Sequence, residues 1–154
     1  MNRKETYLLA LEAEVRSQKL YHALAVSFRR PETSVVFQQL VKMEKNHEDK
    51  VRAAYLKEFP GADHVVNPQP GEYRHLNLKD PAAVLEYAMG REDVARDHYL
   101  ILAEDTDEPG LKEMLLLFAR EEEQHKEVLL TQLQDMQGAL QWFDPSELAG
   151  LMED

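Results

Sequence analysis

Apolar positions recur every three to four residues through four long stretches of this chain, with turn-forming residues cutting between them. That spacing is helical, because residues three and four apart share one face. The first stretch runs from about Asn2 to Arg29 and stops at "RRPETS"; the second runs from about Glu32 to Glu58 and stops at "FPGA". The third opens at "KDPAAV", where Asp80 suits the N-cap and Pro81 the first helical position, and closes near "EDTDEPG". The fourth opens around Asp107 to Pro109 and runs to about Gln137, with Gly138 as a natural stop. Strand-like alternation is nearly absent, so the predicted fold class is all-α.

Short turns make the first two helices, and the last two, antiparallel neighbours. Between the pairs lie residues 59–79, including "DHVVNPQPGEYRHLNLK", without a clean period of either kind. Roughly twenty extended residues reach about 60 Å, enough to run the length of a bundle. Val65, Val66, Tyr73 and Leu76 within that segment favour packing over a disordered linker. The expectation is one domain over residues 1–154, an up-down-down-up four-helix bundle. Its hairpins, about 2–58 and 80–137, are joined by a long crossover, and "WFDPSELAGLMED" adds a short C-terminal tail helix.

Polar residues interrupt the apolar stripes in a repeated way. Glu44 and His47 of "EKNH" lie on the face of Phe37, Leu40, Val41, Val51 and Tyr55, and "EEQH" repeats the pair as Glu122 and His125, 78 positions later. The same offset carries Glu14 onto Glu92, Tyr21 onto Tyr99, Ala10 onto Ala88 and Pro31 onto Pro109. A lone Glu-x-x-His is a weak signal in a Glu-rich helical chain. Matched copies in register, without a gap, indicate two helix hairpins of common design. Glu14 and Glu44 are 30 residues apart, as are Glu92 and Glu122, and each pair has its turn midway. All four glutamates are therefore predicted at one height, roughly 20 Å from the turns at 1.5 Å per residue.

Glu14 shares its face with Tyr7, Ala10, Leu11, Tyr21, Ala25 and Phe28, and Glu92 with Leu85, Ala88, Met89, Tyr99 and Ala103. Glu12 and Glu86 project away from these faces; Glu121 and Glu123 flank the stripe and Glu48 sits near its edge, so these rank below the six. Tyr21 and Tyr99 lie two turns beyond a stripe glutamate, either hydrogen-bonding a ligating carboxylate, carrying electrons, or filling the core. His22 and His98 point off the stripe, His64 and His75 sit in the crossover, and Met43, Met89, Met114 and Met136 read as core filling.

Composition narrows the chemistry. The 154 residues are 44% hydrophobic and 31% charged, which fits a folded domain able to bury a core. Eighteen basic against 29 acidic residues give a net charge of −11, which argues against nucleic acid and anionic membranes as partners. The absence of cysteine excludes a disulfide framework, a thiol nucleophile and Cys-ligated iron. No apolar signal core or bilayer-length segment is present, so the expected compartment is the cytoplasm. Four carboxylates gathered in an apolar core cannot all stay ionised unaided. Two divalent cations would balance them, with two neutral imidazoles completing the shell. Carboxylate with imidazole suits iron or manganese, and zinc is compatible.

Glu14, "EKNH", Glu92 and "EEQH" together resemble the ferritin-like di-iron carboxylate proteins. Within that superfamily, "ALEAEVRSQKLYHALA" and "AMGREDVARDHYLILAE" look most like the rubrerythrin family, over residues 1 to about 135. The resemblance implies a ferritin-like bundle, usually a homodimer, with a non-haem di-iron centre that reacts with hydrogen peroxide or dioxygen. It implies Glu44 and Glu122 as bridging ligands, His47 and His125 as terminal ones, and Glu14 and Glu92 completing the set. Two departures stand out. Founding rubrerythrins carry a Cys-ligated rubredoxin-like module, whereas this chain has no cysteine and needs an external electron-donor protein or none. They also carry a further glutamate one turn from the ligand of the third helix, where this chain has Met89 and Ala95. That counts against a peroxide mechanism in which an iron changes ligands. A ferroxidase, a small-molecule hydroxylase and a non-enzymatic metal-binding module stay open as alternatives.

Overall fold

The computed structural model describes residues 2–28, 30–62 and 80–138. Helix α1 spans Arg3–Ser27, α2 Pro31–Glu58, α3 Pro81–Glu104 and α4 Pro109–Gly138, and no strand forms among the described residues. Local chemistry sets the ends. Asn2 caps α1 reciprocally: its side chain accepts from Glu5 N at 2.8 Å while the Glu5 carboxylate accepts from Asn2 N. Pro31 and Pro81 occupy first-turn positions where a missing N–H costs nothing. The Asp80 carboxylate accepts from the N–H groups of Ala82 and Ala83, the cap its position predicts. Glu108 plays the same part for α4, accepting from Leu111 N at 3.2 Å. Beyond α2, Gly61 takes a φ of +84°, a left-handed turn that a side chain would resist.

Two cross-helix contacts fix the direction of α3. The Tyr99 hydroxyl donates to Glu14, and the Tyr21 hydroxyl donates to Glu92. Ascending α1 therefore meets descending α3. With short turns making α1/α2 and α3/α4 antiparallel, the order is up-down-down-up, a ferritin-like all-α bundle. The crossover and the tail helix expected from the sequence lie outside the described residues. Among the described residues, no helix is long and apolar enough to cross a membrane.

The core is split in two. One apolar cluster gathers Leu20, Leu24, Phe28, Phe37, Leu40, Leu85 and Leu129 towards the α1/α2 turn. The other gathers Tyr7, Leu11, Val51, Tyr55, Leu102, Leu115 and Phe118 towards the α3/α4 turn. At that second end Arg3 ties three helices, with Nε 2.5 Å from Glu58 and Nη groups donating to Leu102 O and Thr106 Oγ1. The stripe residues expected beside Glu14 are all buried. Met43 is a correction: it is 37% exposed rather than core filling. It directly precedes the buried Glu44, so on α2 it is turned about 100° off the inward face.

Candidate metal centre

Between the two apolar clusters lies a layer of buried acids and imidazoles. Glu14, Glu44, Glu92, Glu122, His47 and His125 are each at most 2% exposed. One comes from α1, two from α2, one from α3 and two from α4, so every helix contributes. Lys45 and Asn46, between the α2 pair, are exposed. The Glu-x-x-His spacing puts both side chains of a pair on the inward face of one helix, under one turn apart.

The six residues form two groups that share members. Glu14, Glu44, His47 and Glu122 make one; Glu44, Glu92, Glu122 and His125 make the other. In each group one ligand atom per residue lies within 4.8 Å of the rest, and each group could hold a metal ion. Glu44 and Glu122 belong to both. His47 Nδ1 is 2.7 Å from Glu122 Oε1, 3.4 Å from Glu44 Oε1 and 3.6 Å from Glu14 Oε1. His125 Nδ1 is 3.0 Å from Glu44 Oε1 and 3.7 Å from Glu92 Oε2.

These short approaches are not aligned hydrogen bonds. Both Nδ1 atoms, both oxygens of Glu44 and of Glu122, and one oxygen each of Glu14 and Glu92 are buried without a hydrogen-bond partner. Orphaned polar atoms at that density are costly in a protein interior. Donor atoms around an ion at bond lengths near 2 Å stand about 3 to 4 Å apart, the spacing seen here. The donor set, carboxylate oxygen with imidazole nitrogen, fits iron, manganese or zinc.

Without metal, protons balance the charge. Burial and the neighbouring Glu44 push Glu14 up to about 8. Burial and the three other acids push Glu122 well above the usual carboxylate range. Burial also opposes ionisation of Glu44, but the facing imidazoles of His125 and His47 outweigh it and bring that group down to about 2. Burial disfavours charged imidazoles too, yet Glu14 and Glu44 lift His47 to about 11, and Glu44 and Glu92 lift His125 to about 10. The metal-free layer is thus a proton-rich one.

Around this layer, Tyr99 hydrogen-bonds Glu14 and Tyr21 hydrogen-bonds Glu92, each reaching the glutamate of the other helix. Burial and those carboxylates hold both phenols well above their usual range. His47 is clasped further: its Nε2 lies 2.5 Å from Glu121 Oε2, and the Phe118 ring packs 4.2 Å from it, centroid to centroid. Glu121 ranks low by periodicity, because it flanks the α4 stripe; only the neighbouring helix α2 gives it a partner. Glu48 at the stripe's edge is held outside both groups by Gln18 Nε2 and Arg52 Nη2, each at 2.9 Å. Glu123 pairs with Arg96. His22 is exposed and His98 half-buried, and neither joins the layer.

Comparison with known proteins bears on the fold and the family. A solved structure, a hypothetical protein from Pyrococcus furiosus, is similar to this chain with a TM-score of 0.72 and 23% identity. The match covers 87% of this chain and 89% of that one, and it speaks for the fold. No curated protein matches the chain. The family model for rubrerythrin matches residues 6–79 and 83–150, a span that includes all six residues of the buried layer. The chain belongs to the rubrerythrin family.

Proposed function

We propose that this chain is a di-iron oxidoreductase of the rubrerythrin type, reducing hydrogen peroxide, and less readily dioxygen, at the buried layer. The observation that carries this reading is the pair of buried four-residue groups sharing Glu44 and Glu122. Glu14 and His47 would hold one ion, Glu92 and His125 the other, and the two shared glutamates would bridge them. Iron, when bound, supplies the two electrons that reduce peroxide to two waters, with two protons drawn from solvent.

The protein's part is to place and shield. The apolar clusters above and below keep bulk water from the layer. Tyr21 and Tyr99 fix the carboxylates of Glu92 and Glu14 through their hydroxyl donors. Met89 and Ala95, one turn either side of Glu92, offer no carboxylate, which counts against a mechanism in which an iron would exchange ligands with α3 on reduction. A small cavity lined by Arg16, Ser17, Leu20, Tyr21, Tyr87, Ala88 and Arg91 reaches the tyrosine that holds Glu92. Its volume of about 10 Å³ is at the lower limit for a single water, so it leaves no room for a bulky hydroxylation substrate. A separate protein would re-reduce the centre, because the chain has no cysteine to hold an iron–sulfur relay. A cytoplasmic homodimer completes the reading.

Anaerobic loading with ferrous iron tests it. About two irons should bind per chain, and peroxide should oxidise them faster than dioxygen does. With a reducing protein present, peroxide consumption should continue while iron content stays constant. Iron uptake running well past that ratio would overturn the reading in favour of a ferroxidase. Full metal stoichiometry in a Glu44→Ala, Glu122→Ala double variant would remove the site assignment.

A further inference from the structure

The internal repeat makes the buried layer nearly symmetric, and one departure breaks the symmetry. His47 and His125 are equivalent under the 78-residue offset, as are Glu44 and Glu122, Glu14 and Glu92, and Tyr99 and Tyr21. Their surroundings are not equivalent. Nε2 of His47 is anchored by the Glu121 carboxylate at 2.5 Å. Nε2 of His125 is buried and has no hydrogen-bond partner among the described residues. The residue 78 positions before Glu121 is Met43, which is exposed and offers no acceptor for an imidazole N–H. Phe118, packed on the His47 ring, is likewise replaced in the first hairpin by Leu40.

We propose that the two metal positions are unequal by construction. The Glu14–His47 position binds first and tightly, and the Glu92–His125 position binds second and exchanges readily, so a one-metal form accumulates at limiting metal. The inference rests on the dinuclear reading above. Its physical basis is the orientation of the ligand. A metal at Nδ1 needs the remaining ring proton on Nε2 and the ring held in one plane. Glu121 supplies both conditions to His47 by accepting that N–H, and Phe118 restrains the ring from its face. His125 gets neither service from the matching positions. Glu121 is thus a positioning residue acting through His47.

The test is titration of the metal-free full chain with cobalt(II), followed by calorimetry and visible absorption. The expected result is two steps whose dissociation constants differ by about 10- to 100-fold, the usual effect of an outer partner on a ligating histidine. Glu121→Met, which copies the Met43 side, should weaken the tight step by that factor and bring the two together. Met43→Glu, which copies the Glu121 side, should tighten the weak step instead. Neither change replaces a ligand, and circular dichroism reports whether each variant is folded. Two equal steps in the unmodified chain, or a Glu121→Met variant whose tight step is unmoved, would overturn the inequality while leaving a two-metal centre standing. Failure to bind cobalt at all would overturn the dinuclear reading itself, and the proposal with it.

Discussion

Raising the pH should destabilise the metal-free protein and leave the metal-loaded protein almost unaffected. In the metal-free fold His47 rises to about 11 and His125 to about 10, against 6.5 for a free imidazole. A raised pKa means that the folded state holds protons the unfolded state has released. The stability from these groups is therefore fully present below pH 6.5 and is lost as pH climbs through the folded values. Between pH 7.5 and 8.5 both histidines carry one extra proton in the fold, so stability should fall by about 3 kcal/mol over that unit. Glu14, lifted to about 8 by burial and Glu44, acts with the same sign up to its own folded value. His98, pushed down by burial and Arg91, acts oppositely, but below its usual 6.5. For a chain of this size the loss corresponds to a melting midpoint lower by roughly 6 to 12 °C. Zinc-loaded protein, whose imidazoles carry no extra proton, should keep its midpoint over the same interval. Thermal melts followed by circular dichroism at pH 6.5, 7.5 and 8.5, with and without zinc, read both curves. A metal-free midpoint that stays level or rises with pH would refute the proton-rich account of the layer.

The same protons must leave when metal enters. Loading two divalent ions at pH 7 should release at least about two protons, from His47 and His125; calorimetry in two buffers of different ionisation enthalpy counts them, and a count near zero would contradict the charge balance. Tyr99→Phe should weaken metal binding severalfold and cost the metal-free fold about 1 to 3 kcal/mol, because Glu14 loses its hydroxyl donor in a fully buried setting. Metal titration and a denaturant melt of that variant give the two readings.

Much of this site is legible in the sequence because the information is periodic and doubled. Helical spacing places Glu14, Glu44, Glu92 and Glu122 on inward faces, and the equal 30-residue separations place them at one height. Neither inference needs side-chain detail. The parts that stay hidden depend on a second helix. Tyr21 and Tyr99 look, along their own helices, like companions of Glu14 and Glu92, two turns away. At 1.5 Å per residue that is roughly 10 Å, too far for a hydroxyl to reach. Antiparallel packing of α1 on α3 exchanges the partners, bringing Tyr99 to Glu14 and Tyr21 to Glu92. Glu121 is hidden for the same reason: its angle on α4 marks it as flanking, and only the approach of α2 makes it the partner of His47. The repeat did hold a signal for it, since an acid in one copy faces a methionine in the other. Met43 shows the reverse error, an apolar residue read as core that the α2 angle turns to solvent.

The location of the layer also follows from how the hairpins meet. Of the four adjacent helix pairs, α2 and α4 approach each other least, while the pairs within each hairpin pack closely. Both Glu-x-x-His pairs sit on those two helices. Across that wide junction the layer's contacts include polar ones, His47 to Glu121 and Glu122 and Glu44 to His125, beside the Phe118 ring on His47. Close apolar packing there would have expelled the carboxylates and left no room for ions. A wide junction lined with unsatisfied donors and acceptors is unfavourable alone, and cations bound across it would convert that weakness into a bond between the hairpins. Metal should therefore stabilise the contact between the two halves more than either half, which ties the chemistry of the centre to the integrity of the bundle.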